Sequence, residues 1–213
     1  MGIDELITKL GIIILTLNTL FFILSVHKKN KALKYFILYL VLCSFVQLYS
    51  SHLHKLGEYN LFLSHYFFTG QFLLLSFFFS ELSEYQKIKK PIRYFSFIIT
   101  FSIILYFVLN PSSYVKWNEI EIVITSLPLL IYSFLFFIKK IDNSKNKKYI
   151  YFNSGFFVYT LCSTLIFILG NIGGRELKLF VWDANQFLYL LFQILIFVEW
   201  FKNFRKNTLF NKK

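Results

Sequence analysis

The sequence predicts an all-α, polytopic membrane protein with seven transmembrane helices, and three observations predict it. Apolar runs of about 20 residues recur along the chain, each long enough to cross roughly 30 Å of hydrocarbon as a helix. The composition is 56% apolar and 22% aromatic, with a mean hydropathy of +0.57, above the range of soluble domains. Lysine and arginine gather in alternate loops, as they do in a chain threaded through a bilayer. The net charge of +12 is therefore a topology signal and not a groove for nucleic acid, because membrane spans interrupt the basic residues. Cys43 and Cys162 both fall inside predicted spans, where a free thiol acts as a small hydrophobe.

The first span, about Leu6 to Val26, follows Asp4 and Glu5 and lacks the basic start of a cleavable signal, so it reads as a retained helix. A lysine-rich loop over 27–34 leads to the second span, about Tyr35 to Leu53, which ends where Gly57 and Asn60 favour a turn. The third runs from about Leu61 to Leu82. After Lys87, Lys89, Lys90 and Arg93, with Pro91 placed to start a helix, comes the fourth, about Tyr94 to Leu109, closed by Asn110-Pro111. The fifth, about Glu119 to Ile138, carries Pro128 near its middle and is expected to kink there. The polar loop 139–148 precedes a sixth span, about Tyr149 to Asn171, and a seventh, about Leu179 to Phe201. Residues 1–201 thus form one seven-helix domain and 202–213 a basic cytoplasmic tail.

Of the 23 basic residues, eighteen lie in loops 27–34, 83–93, 139–148 and the tail; five (Lys9, Lys55, Lys116, Arg175, Lys178) lie on the opposite side. The positive-inside rule puts the N-terminus outside and the C-terminus in the cytoplasm of a bacterial inner membrane. Trp117, Trp182, Trp200, Tyr35, Tyr149 and Tyr151 fall near span ends, as an interfacial aromatic belt does. Glu81 and Glu199 read as solvated partners for the inner lysines.

Hydrocarbon penalises unsatisfied polar groups, so polar stripes mark inward faces. Ser44, Gln47, Ser51 and His54 form one; His65, Thr69, Ser76 and Ser80 a second; Asn153, Thr160, Thr164 and Asn171 a third; Gln186, Tyr189 and Gln193, with Asp183 a turn further out, a fourth. Such stripes either hydrogen-bond helix to helix or line a pocket, and a ligand pocket here would use Gln47, His54, His65, Thr69, Asp183, Gln186 and Gln193. The outer layer also holds His52, Glu119 and Glu121. A metal, if one bound, would take His54, His65, Glu121 and Asp183, with His54 and His65 the best pair, since His52 and His54 point to opposite sides of a helix. Asp183 and Gln186 stand where seven-helix zinc hydrolases carry histidines, so neither a metal nor another cofactor is expected, and no catalytic residue is assigned. His27, in the basic loop, has no evident partner. Retinal proteins are excluded because no lysine lies between Leu179 and Phe201, and the sugar carriers' Pro-Gln pair does not occur.

The segment Asn60 to Phe79, with His65, Thr69 and Gln71, resembles the third-helix region of small, uncharacterised bacterial seven-helix membrane proteins. That resemblance implies an envelope protein with a sensory role. The expected function is a sensor or ligand-binding module of the inner membrane. Without a soluble output domain it would act through a protein partner at its basic cytoplasmic face, where Phe204 and Phe210 are available. The competing expectations are a membrane-embedded metal-dependent hydrolase with an outer-face site, and a transporter or structural subunit. No phosphate-binding glycine loop, serine-nucleophile motif or HExxH helix is present to favour catalysis.

Overall fold

The computed structural model describes residues 3–26, 30–83, 86–142, 147–172 and 175–205. They form seven α-helices, α1 (Ile3–Leu24), α2 (Lys31–Leu56), α3 (Phe62–Leu82), α4 (Gln86–Leu109), α5 (Glu119–Asp142), α6 (Ile150–Ile172) and α7 (Arg175–Asn203), with a short 3-10 turn at Pro111–Val115 and no strand among the described residues. Each helix contains a stretch long and apolar enough to cross a membrane, and exposed Leu, Ile and Phe side chains along them suit contact with lipid tails. His27, Phe210 and the tail beyond Arg205 lie outside the described residues, as do the side chains of Asp4, Asn171, Arg175, Glu176 and Lys178.

Most helices outrun the apolar windows read from the sequence. Asn30, whose side chain accepts the Leu33 N–H at 2.9 Å, starts α2 four residues before Tyr35. The same helix ends at a left-handed Gly57 (φ 71°), whose N–H reaches the His54 carbonyl while that of Glu58 reaches Leu53, the pairing that closes a helix C-terminus. His54 and Lys55 are thereby drawn into the last turn. α4 begins at Gln86 and carries Pro91 in its second turn, not at its start: this proline forfeits only the bond it would donate to the Lys87 carbonyl, and lysine and arginine are good helix formers on either side. Asn110-Pro111 does end α4, and Asn118 caps α5 by accepting the Glu121 N–H at 3.1 Å.

The chain divides into two compact units, the boundary falling inside α5 between Tyr132 and Ser133. In the first, α1 and α6 both pack on α7. Gly155 makes the α6–α7 approach possible, since a Cβ there would stand 2.9 Å from Leu195 and Phe192. Phe152, Phe156 and Phe192 fill the seam, with the Tyr159 ring 5.3 Å from that of Phe192. Polar stripes supply the rest: Thr8 donates to Gln186, Asn18 to the Gln193 carbonyl at 2.9 Å, and Ser133 and Asn153 bond reciprocally at 2.9 and 3.0 Å. In the second unit, α3 lies between α2 and α4, and Gly70 admits the Leu42 side chain at a distance no Cβ would allow.

Glu199 departs from the solvated role expected of it. It is fully buried on α7, and its carboxylate accepts the N–H groups of Tyr149 (2.6 Å), Tyr151 (2.9 Å) and Phe152 (3.4 Å), the open donors at the start of α6. Asn203, one turn on, holds the same carboxylate at 2.8 Å. Tyr149 supplies no capping oxygen of its own and takes φ 67°, so an acid from the neighbouring helix does the capping instead. Glu81 keeps its basic partners, Arg93 and Lys89, but is largely covered.

Replacing Glu199 with leucine should cost about 1–3 kcal/mol for each of the three donors that stays buried and unpaired. Hydrogen exchange at Tyr151 and Phe152 should accelerate while that of α3 stays unchanged. Unaltered exchange at those two amides would show that α6 does not depend on this carboxylate.

Candidate functional site

In the second unit the first turns of α3 and α5, the last turn of α4 and the 3-10 turn meet around one buried side chain. His65 sits one turn into α3, whose entry is tied down by Asn60 donating to Ser50 on α2 and by Ser64 donating to the Leu61 carbonyl. Glu121 occupies the third position of α5, with its backbone held by Asn118 and its acidic charge favoured at a helix N-terminus.

His65 Nδ1 lies 2.5 Å from Glu121 Oε2, and Thr69 Oγ1 donates to Oε1 at 3.1 Å. Both members of the pair are buried, with side chains 4% and 2% exposed. The Phe107 ring stands 4.4 Å from the imidazole and Tyr114 5.5 Å, while Tyr66 and Phe62 pack on Tyr114. The Tyr114 phenol, outside the spans, is pushed above its ordinary value by burial first, then by its hydrogen bond with Tyr66 and by the charge on Glu121. A carboxylate accepts only, so Nδ1 carries a proton toward Glu121 and the chemistry of the ring is delegated to Nε2. Nε2 is buried and has no hydrogen-bond partner. It can take a proton, accept a hydrogen bond or ligate an ion.

Of the residues the sequence singles out, His65, Thr69 and Glu121 are brought together. His54 is not: it projects, exposed, from the last turn of α2, because the Gly57 cap carries that helix past the apolar window, and the partner of His65 is Glu121 instead. Gln47 is half-buried on α2, and His52 is exposed. Gln71, beside Thr69 in sequence, points to another face of α3, buried with its Oε1 unpartnered. Asp183, Gln186 and Gln193 belong to the first unit. Asp183 is exposed, whereas the side-chain oxygens of Gln186 and Gln193 accept from Thr8 and Asn18 in joining α1 to α7. Among the described residues no three of His, Cys, Asp and Glu gather where they could hold a metal ion.

Sequence reasoning passed over Tyr114 and Asn118. Asn118 was findable, since Asn-x-x-Glu ahead of an apolar run is a capping pattern. Tyr114 gave no signal, being one aromatic among 46 Phe, Tyr and Trp residues. No family model, curated protein or solved structure matches the chain.

Protein purified without chelator and without affinity-tag histidines should contain no stoichiometric metal by elemental analysis. About one zinc per chain, lost on His65→Ala, would reverse that expectation, because a catalytic zinc takes about three protein ligands. Glu121→Leu, which removes the partner of a buried imidazole and of Thr69, should cost about 1–3 kcal/mol in a thermal unfolding measurement, and Glu121→Gln less.

Proposed function

We propose that the chain is a sensor or ligand-binding module of a bacterial inner membrane, with its N-terminus outside, its C-terminus in the cytoplasm and a protein partner at its basic cytoplasmic face. The observation that carries this reading is the buried His65–Glu121 dyad with one ring nitrogen unpartnered. A pair kept only to join two helices has no use for an imidazole whose second nitrogen is left unsatisfied, at a cost comparable to a lost hydrogen bond. The division of basic residues, eighteen against five, supports the orientation, and in that orientation the dyad lies at the outer end of its helices. The resemblance of residues 60–79 to the third helix of small bacterial seven-helix proteins leans the same way. At the other end Lys31 and Lys34 on α2 and Lys87, Lys89, Lys90 and Arg93 on α4 ride on helical backbone, which gives an acidic partner a rigid basic surface.

The dyad suits a small cationic hydrogen-bond donor. An ammonium group would donate to Nε2, feel the Glu121 charge behind the ring, and meet the faces of Phe107 and Tyr114.

Two measurements test this. A periplasm-active reporter fused after Lys213 or within 139–148 should be silent, and activity from either reverses the orientation. In a Trp182→Phe, Trp200→Phe background, the remaining Trp117, 6.2 Å from Phe68 near the site, should show a saturable fluorescence change on titration with methylammonium, lost in Glu121→Gln. A linear response identical in both proteins would reduce the cluster to packing.

A further inference from the structure

The dyad is one end of a longer polar line. On α3, His65, Thr69, Ser76 and Ser80 share a face within an arc of about 60°, and His65, Ser76 and Ser80 are each almost wholly buried. Three contacts set the register of α4 against that face. Arg93 Nε donates to Ser80 Oγ at 3.1 Å, the Phe97 ring lies 5.2 Å from Phe77, and the Phe107 ring packs tilted against His65 at 4.4 Å. As α4 advances α3 recedes, so the helices are antiparallel, and Thr100 falls level with the gap between Thr69 and Ser76. Thr100 also shares the α4 face of Arg93, Ser96 and Phe107, and it is buried.

The hydroxyls in the middle of this line are unsatisfied. Ser76 Oγ and Thr100 Oγ1, like His65 Nε2, are buried without a hydrogen-bond partner. Ser96 is not among them, since it donates back to the Ile92 carbonyl, and neither is Ser80, which donates to the Phe77 carbonyl and accepts from Arg93. At a helical rise of about 1.5 Å per residue, Thr69, Thr100, Ser76 and Ser80 follow one another along the axis at intervals of roughly 4.5 to 6 Å. One water bridging two hydroxyls spans about 5.6 Å, so single waters would satisfy the orphaned groups and join them into a chain. From His65 to Ser80 the line covers about 22 Å of the roughly 30 Å of hydrocarbon.

We propose that this α3–α4 seam is a proton path across the membrane. A proton taken up on His65 Nε2 is balanced by transfer of the Nδ1 proton to Glu121 Oε2; the Thr69 hydroxyl turns its own proton to the water chain and accepts the one on Glu121, and a half-turn of the imidazole returns an N–H to Glu121 and a bare nitrogen to the uptake side. The Tyr66 and Tyr114 phenols lie beside the dyad; α4 contributes the Phe107 ring, and His52 and His54 on α2 are exposed. At the far end Arg93 ties Ser80 to Glu81, with Lys89 beside the same carboxylate, and all three side chains are partly open to exchange. Glu81 offsets the guanidinium charge, which alone would oppose a cation in the track.

The path shares His65 and Glu121 with the binding role and stands apart from it: proton flux without a methylammonium response retains the path alone, and the reverse retains the binding role alone. The test uses the full chain in liposomes loaded with a pH-sensitive dye, with valinomycin and a potassium gradient setting the interior negative. Wild-type vesicles should acidify several-fold faster than protein-free ones. Thr100→Val and Ser76→Ala, which remove a hydroxyl at nearly constant shape, should fall close to the protein-free rate, and Glu121→Gln likewise. Thr160→Val, which removes a buried orphan hydroxyl in the first unit, should conduct as wild type does. Thermal unfolding of each variant separates a lost path from a lost fold. Wild-type flux equal to that of empty vesicles overturns the proposal, and so does undiminished flux in folded Thr100→Val or Ser76→Ala.

Discussion

Hydrocarbon offers no water to a backbone N–H or C=O, so helix ends and buried polar side chains in this protein depend on partners within the chain, and each one left open is costly. That constraint decides where the helices begin. Asn30 and Asn118 meet it locally for α2 and α5. At α6 the sequence supplies no capping side chain, and the donors are met by Glu199 from the adjoining helix. A buried carboxylate shared among three N–H groups and one amide is costly to desolvate, and those charge-assisted bonds are what offset the cost. The last turns of α7 and the first of α6 are thereby bound more specifically than their aromatic packing alone would bind them.

Both units leave some buried polar atoms open, and they arrange them differently. In the first, Ser133 pairs with Asn153, Asn18 donates to Gln193, and Trp200 donates to Ser25 while stacking on Phe21, with open atoms, Asn18 Oδ1, Thr160 Oγ1 and Asn185 Oδ1, scattered over three helices. Such bonds in membranes are worth about 0.6 to 2 kcal/mol each, and their use is to fix which helix meets which. In the second unit the polar groups lie in a line along one seam, and three of their atoms, His65 Nε2, Ser76 Oγ and Thr100 Oγ1, have no partner. Buried polar groups left open are the exception in folded proteins and concentrate where something else is to be bound.

The architecture was legible because periodicity and length carry it: seven apolar runs became seven helices. The misplaced ends share one cause. Lysine and arginine lower hydropathy without opposing helix, so the windows closed at Tyr35 and Tyr94 while α2 and α4 had begun at Lys31 and Gln86. The site was half legible. The α3 stripe located His65 and Thr69, and Glu121 was marked as an acid at the same level, but their junction depends on how α5 docks against α3, which a one-dimensional pattern does not encode. His54 misled for the complementary reason: its spacing continues a polar stripe, yet its helix runs past the apolar window and leaves it exposed.

Glu121 stands only two residues from Glu119, and helix geometry explains why this acid and not its neighbour reaches His65. Residues two apart on a helix point to nearly opposite sides, so α5 can turn only one of these carboxylates toward α3. Glu121 is the one whose N–H Asn118 caps, and with its backbone fixed the carboxylate extends from a stationary base to His65 and Thr69. Thr125, one turn on, keeps its hydroxyl on the Glu121 and Ile122 carbonyls and so does not compete for the acid. With both carboxylate oxygens occupied and Nδ1 committed, the imidazole is held in place by its own partner, and Nε2 is the one atom of the dyad left to respond to anything that arrives.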